Sequence, residues 1–123
     1  MELQIVNKEI AIQLKELGFD WEVNAYYKEE LYEQVKNELY KDCCSNNFSQ
    51  YIDDISAPTQ ALVCKWLRDV HNINISIISI STKELQYYYD IIQLNVSHDI
   101  PYNTYELAEE AGILKAIEIL KSK

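Results

Sequence analysis

Hydrophobic positions along this chain change their period several times, and each change marks an element. Ile10, Leu14 and Leu17 recur at steps of four and three, the spacing of one helix face. Asn7 stands where a short side chain can accept a bond from a free backbone amide, and Gly18 follows the stripe directly. The pattern predicts an N-terminal helix that Gly18 closes in the left-handed conformation, with Phe19 folded back on its last turn. From Trp21 to Tyr27 the beat becomes an alternation: Trp21, Val23, Ala25 and Tyr27 against Glu22, Asn24 and Tyr26. That is strand periodicity, so 21–27 is expected as a strand. A helical beat returns in 28–44, where Leu31, Val35 and Leu39 lie four apart with Tyr32 beside them. Glu29, Glu33 and Lys36 have the spacing of a solvated helix face. The stretch SNNFSQYIDD then reads as a polar loop.

The second half is more regular. Ser56 or Ala57 can cap a helix, and Pro58 suits a first turn because its missing N–H has no partner to lose there. Leu62, Val63, Trp66, Leu67 and Val70 form a wide apolar face over 57–71. Arg68 and His71 fall near the helix end, where positive charge suits the dipole, and Asn72 is the expected stop. INISIISIS follows, with five β-branched isoleucines that favour a strand. Its alternation slips once: Ile73, Ile75 and Ile77 share one parity, Ile78 and Ile80 the other. Two structures accommodate this: a bulge near Ile77 and Ile78 that turns all five inward, or a strand covered on both faces. STKE is a turn candidate and LQYYYDIIQL a second strand, giving a hairpin over 73–94.

A last helix is expected over 104–121. Asn103 with Glu106 three residues on resembles a capping box, and Leu107, Ala111, Leu114, Ile117 and Leu120 form the expected buried stripe. Gly112 inside it costs about 1 kcal/mol against alanine, which a close approach of helix to sheet would justify. With no repeat and no Pro-, Gly- or Ser-rich linker, residues 1–123 read as a single α+β domain. The expected architecture is a small antiparallel sheet from hairpin 73–94, with 21–27 as third strand, under helices 57–71 and 104–121. The N-terminal helix completes the core.

Composition narrows the function classes. Only Gly18 and Gly112 are glycine, so a glycine-rich phosphate loop is excluded. The net charge is −9, with twelve acids and five bases in 1–56 against eight and six in 57–123. Such a chain is repelled by nucleic-acid backbones, and its one arginine, Arg68, argues against base reading by paired guanidinium forks. No nucleic acid is expected as partner. Three cysteines, Cys43, Cys44 and Cys64, make no disulfide framework, which suggests a reducing cytoplasmic setting. MELQIVNKEIAI has acids and no long apolar core, so it is not read as a signal peptide, and no stretch reaches the ~20 apolar residues of a membrane helix.

Candidate chemistry is sparse. The two histidines, His71 and His98, have no histidine or cysteine at the spacing that presents two metal ligands from one helix face. Nothing local activates a cysteine thiolate, and Cys64 is expected as a small buried residue. Asp53–Asp54 reads as a turn pair, and Glu109–Glu110 as acids early in a helix. No catalytic, cofactor or metal residue is therefore assigned. The ten tyrosines stand out: Tyr87, Tyr88 and Tyr89 lie together on a strand, so Tyr88 must face away from its neighbours. Phenols on a sheet face suit core packing or contact with another protein. Tyr87, Tyr88 and Tyr89, with Arg68 and His71, are the candidate interaction surface.

Three blocks, EIAIQLKELGFD, SAPTQALVCKWLRDVHNINISI and YELAEEAGILKAIEIL, resemble a group of short uncharacterised proteins carried by phages and prophages of gut bacteria. The middle block is the most specific, through Ala57-Pro58-Thr59, Lys65-Trp66-Leu67-Arg68 and His71-Asn72-Ile73. The region from Lys28 to Gln50 departs from the resemblance. The likeness implies a phage-related origin and an intracellular setting, and it brings no functional residue with it. Expected on this reading is a small accessory protein that acts by contact with a protein partner or as a homo-oligomer. Two alternatives stand beside it: an acidic mimic of DNA that inhibits a host nuclease, motivated by the acidic first half, and an enzyme using His71, Cys64 or the acids.

Overall fold

The structure, a computed structural model, describes residues 4–28, 39–45, 54–81, 83–91, 96–97 and 100–122. Element order is α1 (Lys8–Glu16), β1 (Val23–Lys28), β2 (Leu39–Ser45), β3 (Asp54–Ser56), α2 (Gln60–His71), β4 (Ile75–Ser81), β5 (Leu85–Ile91), β6 (Val96–Ser97) and α3 (Tyr105–Lys121). The class is α+β. The chain forms two compact units, one of residues 5–59 and one of 1–4 with 60–123.

In the unit of residues 5–59, α1 forms as its stripe predicts. The Asn7 side chain accepts from the Ile10 amide at 2.9 Å, and Ile10, Ala11 and Leu14 are buried. Gly18 has φ +93°, which a β-carbon would strain. It lets the Gly18 amide reach the Lys15 carbonyl and the Phe19 amide reach Leu14, the paired closing bonds of a left-handed helix end. Phe19 is buried accordingly. β1 lies between β2 and β3 in an antiparallel sheet, with Tyr27 opposite both Leu39 and Ile55. Val23, Ala25 and Tyr27 are the buried parity, as the alternation requires, and the Tyr27 hydroxyl donates to the Val6 carbonyl at 2.7 Å.

Four expectations change here. The strand expected over 21–27 is present, but it pairs with β2 and β3 and not with the hairpin. The N-terminal helix packs with that same sheet, against β3. The helical beat of 28–44 gives way at Leu39–Ser45 to a strand, where pairing with β1 outweighs a weak helical period; 29–38 lie outside the described residues. Ser56 ends β3 and is buried, so it is not a helix cap, and the Pro58 carbonyl accepts from the Val6 amide. The helix expected from 57 therefore begins at Gln60.

In the other unit, α2 buries Gln60, Val63, Trp66 and Leu67. It ends at Asn72, whose φ of 56° is the expected left-handed stop, and the Ile73 amide then donates to the Leu67 carbonyl. β4 and β5 pair antiparallel in an unbroken register from Ile75↔Ile91 to Ser81↔Leu85. β6 adds a two-residue third strand on the far side of β5. No bulge interrupts the ladder at Ile77 and Ile78, so the four isoleucines of β4 divide between two faces, while Ile73 precedes the strand and is buried. Ile75 and Ile77 share a face with Tyr89 and Ile91, while Ile78 and Ile80 lie on the opposite face with Tyr88 and Gln86.

α3 packs on β4 and β5. Its cap is Thr104, whose hydroxyl accepts from the Leu107 amide at 3.1 Å, one residue beyond the Asn103 expected. The buried stripe is also turned from the one expected: Ala108, Gly112, Ile113, Ala116 and Ile117 are inside, whereas Leu107 and Leu114 are exposed. Gly112 explains the turn. A β-carbon there would stand 2.7 Å from Ile75 Cγ2 and 3.4 Å from the Tyr89 ring, so the helix seats its smallest residues on the sheet and displaces the leucines outward.

Candidate interaction surface

The hairpin decides which of the sequence-predicted residues meet. Tyr89 is buried on the face that α3 covers. Tyr87, half-buried on that same face, exchanges backbone bonds with Tyr102 at 2.8 and 2.9 Å and meets the Tyr105 ring edge-on at 6.3 Å. Tyr88 alone points to the other face, with its hydroxyl 3.5 Å from Gln86 Oε1. Arg68 and His71 belong to the end of α2: Arg68 is exposed, and the His71 ring stands edge-on to Trp66 at 4.6 Å. The five residues are therefore distributed between helix and sheet, and between the two faces of the sheet.

What the ladder does bring together is Ile78, Ile80 and Tyr88. Ile78 is 42% exposed and Ile80 47%, on a strand whose last four residues are all exposed. Large β-branched side chains gain stability in a strand by burial against neighbours, so two of them facing solvent on adjacent same-face positions form an apolar surface. The parity slip was visible in the sequence. Its outward direction was not, because a bulge would have satisfied the same letters.

A second cluster lies between α2 and α3, built from two pairs at helical spacing: Gln60 with Cys64, and Tyr105 with Glu109. With its amide nitrogen facing the acid, Gln60 donates to Glu109 Oε1 at 3.0 Å and to the Glu106 carbonyl at 3.3 Å. Glu109 is only 9% exposed. Burial raises its carboxyl above the ordinary carboxylate range, aided by Glu106 and opposed by hydrogen bonds from Cys64 and Tyr105. The Cys64 thiol is pushed up to about 12, first by burial and then by Glu109. A thiol so raised keeps its proton near neutral pH and is a poor nucleophile. The i,i+4 spacing could have disclosed both pairs, but nothing in the sequence set one against the other.

This cluster makes stability depend on pH. Glu109 binds its proton more tightly in the folded chain than in the unfolded one. Its favourable contribution is therefore complete below the unfolded pKa and is lost as pH rises through the raised folded value. Urea midpoints followed from about pH 4 to pH 8 check this: Glu109→Gln, uncharged throughout, gains stability relative to the natural chain as pH rises. A difference that is flat with pH contradicts it.

Beside the cluster, a cavity of about 300 Å³ is lined by Gln4, Gln60, Thr104, Glu106, Leu107 and Glu110. Two acids line it, while Cys64 and His71 do not. Among the described residues no three His, Cys, Asp or Glu side chains are grouped to hold a metal ion. No helix among them is long and apolar enough to cross a membrane. Of the acids behind the DNA-mimic reading, Glu2, Glu29, Glu30, Glu33, Glu38 and Asp53 lie outside the described residues, as do His98 and Asp99. Comparison with protein-family models, curated proteins and solved structures finds no match.

Proposed function

We propose that this chain is a small phage-related accessory protein of the cytoplasm that acts by contact with protein, and that the outer face of the β4–β5 hairpin is its contact surface. The observation that carries this reading is the unbroken ladder that leaves Ile78 and Ile80 exposed beside Tyr88. Aromatic and large apolar side chains supply most of the binding energy in protein interfaces, and charge is depleted at their centres. The outer face fits that composition: Ser76, Ile78 and Ile80 on β4 oppose Asp90, Tyr88 and Gln86 on β5, with one formal charge at its end. In the cluster around Glu109, the Cys64 thiol, pushed up to about 12, is a poor nucleophile near neutral pH.

Two lysines placed on this face test the proposal. Ile78→Lys with Ile80→Lys leaves the far-UV spectrum unchanged, because both side chains are exposed, and abolishes retention of the natural chain's partner or of its self-association. Light scattering and retention on the immobilised chain read the outcome. A natural chain that is strictly monomeric and retains nothing ends the reading.

A further inference from the structure

We propose that the surface is completed by a second copy of this chain, through antiparallel pairing of β4 with β4 of that copy in a register centred on Ser79. The inference rests on the contact reading above and names its partner.

Its first support is the edge itself. In the sheet order β4-β5-β6, β4 is the outermost strand and, among the described residues, pairs only with β5. Alternate residues along this seven-residue strand thus present a row of backbone donors and acceptors. Proteins normally protect such an edge with lysine, proline, a bulge or a short strand. Here the strand reads ISIISIS, runs without a bulge, and has its half from Ile78 to Ser81 exposed.

Charge is the second support. The chain carries −9, so most approaches of one copy to another bring acid against acid. Residues 70–82 are the longest run without Asp, Glu, Lys or Arg. β4 lies wholly within it, so two copies meet there without opposing carboxylates. A basic partner would be drawn to the acids elsewhere, and an acidic one gains nothing special from this strand.

Register is the third. Pairing about Ser79 sets Ile78 of one copy opposite Ile80 of the other, twice, on the outer face. Ile77 falls opposite Ser81, and Ser79 opposite itself, on the inner face. Directly opposed β-branched pairs are the favourable unit of a sheet, and they join the two outward apolar patches into one. A two-fold axis through Ser79 gives the same contact to both copies. Among the described residues the opposite edge, β6, has two residues and offers little template for further growth, which favours closure at two.

The interface is one strand wide, which places it in the weak class, with Kd on the order of 10–100 μM. Sedimentation equilibrium from about 1 μM to about 1 mM should show the mass rising from 14.4 kDa toward twice that value. The Ile78→Lys/Ile80→Lys pair weakens association at least ~tenfold. To read the register, Ser79→Cys is made with Cys43, Cys44 and Cys64 changed to serine and oxidised with oxidised glutathione. A covalent dimer should form, whereas Ser76→Cys in the same background should not link. Should that background fail to fold, the mass measurement on the natural chain still decides. A concentration-independent mass of 14.4 kDa, open-ended aggregation without a discrete dimer, a dimer indifferent to the lysines, or linkage of the Ser76→Cys chain in preference to the Ser79→Cys chain overturns the proposal. A monomer that retains a foreign protein, lost with the lysines, overturns the self-pairing and leaves the contact reading standing; a monomer that retains nothing removes both.

Discussion

Trp66→Ala is expected to destabilise the fold by about 3–5 kcal/mol, the cost of removing a large aromatic from a closed core. Trp66 is 1% exposed on the buried face of α2, between Val63 and Leu67, which are both fully buried. α2 packs against α3, and the indole also backs the His71 ring at the end of its own helix. Truncation leaves a cavity that neighbours fixed on the same helix cannot collapse to fill, and it releases the imidazole from its edge-on contact. A domain of this size has roughly 5–15 kcal/mol in total, so the loss is a large share of it. Urea unfolding should show the midpoint falling with little change in slope. Trp66→Phe, which keeps a ring in the site, should lose markedly less. A midpoint unchanged by alanine would mean the indole is not where the packing puts it.

Gly112→Ala is expected to destabilise the chain although alanine is the better helix former. Propensity alone favours alanine by about 1 kcal/mol. Against that, the new β-carbon meets Ile75 Cγ2 at 2.7 Å and the Tyr89 ring at 3.4 Å. Ile75 Cγ2 is fixed to a branched β-carbon with a stiff χ1, and Tyr89 is buried, so neither yields without moving backbone. Overpacking of this kind costs about 1–3 kcal/mol, and more where the inserted group is branched. The net expectation is a loss of up to about 2 kcal/mol for alanine and a larger one for valine. Glu118→Ala, at an exposed position of the same helix, should be near neutral by the same assay. A Gly112→Ala chain more stable than the natural one would show that α3 does not rest on the sheet at this point.

Local signals in the sequence held where one residue type has one physical use. Asn7, Gly18 and Asn72 each stand at a helix boundary as read, because capping bonds and positive φ are decided within a few residues. Gly112 was legible for a different reason: a glycine inside a helix has little use except close approach to a neighbouring element. Pairing partners were not. The alternation of Val23, Ala25 and Tyr27 identifies a strand, but it does not say which strand lies beside it, and the neighbours turned out to be Leu39–Ser45 and Asp54–Ser56. Helix faces were legible only when one stripe dominates. α3 interleaves apolar and charged residues around its circumference, so Leu107 and Leu114 offered as good a stripe as Ala108, Gly112 and Ile113, and only the sheet's shape chose between them. The candidate surface shows the same divide. Tyr88 facing away from Tyr87 and Tyr89 follows from strand geometry alone, whereas the outward placement of Ile78 and Ile80 depends on a ladder without a bulge.

That ladder underlies the contact surface, and urea unfolding of the Ile78→Lys/Ile80→Lys chain at micromolar dilution tests it most directly. With both isoleucines on the surface, the midpoint should correspond to a loss of no more than about 1 kcal/mol, in line with changes at exposed positions. A loss approaching that of Trp66→Ala would place Ile78 and Ile80 in the core and contradict the account.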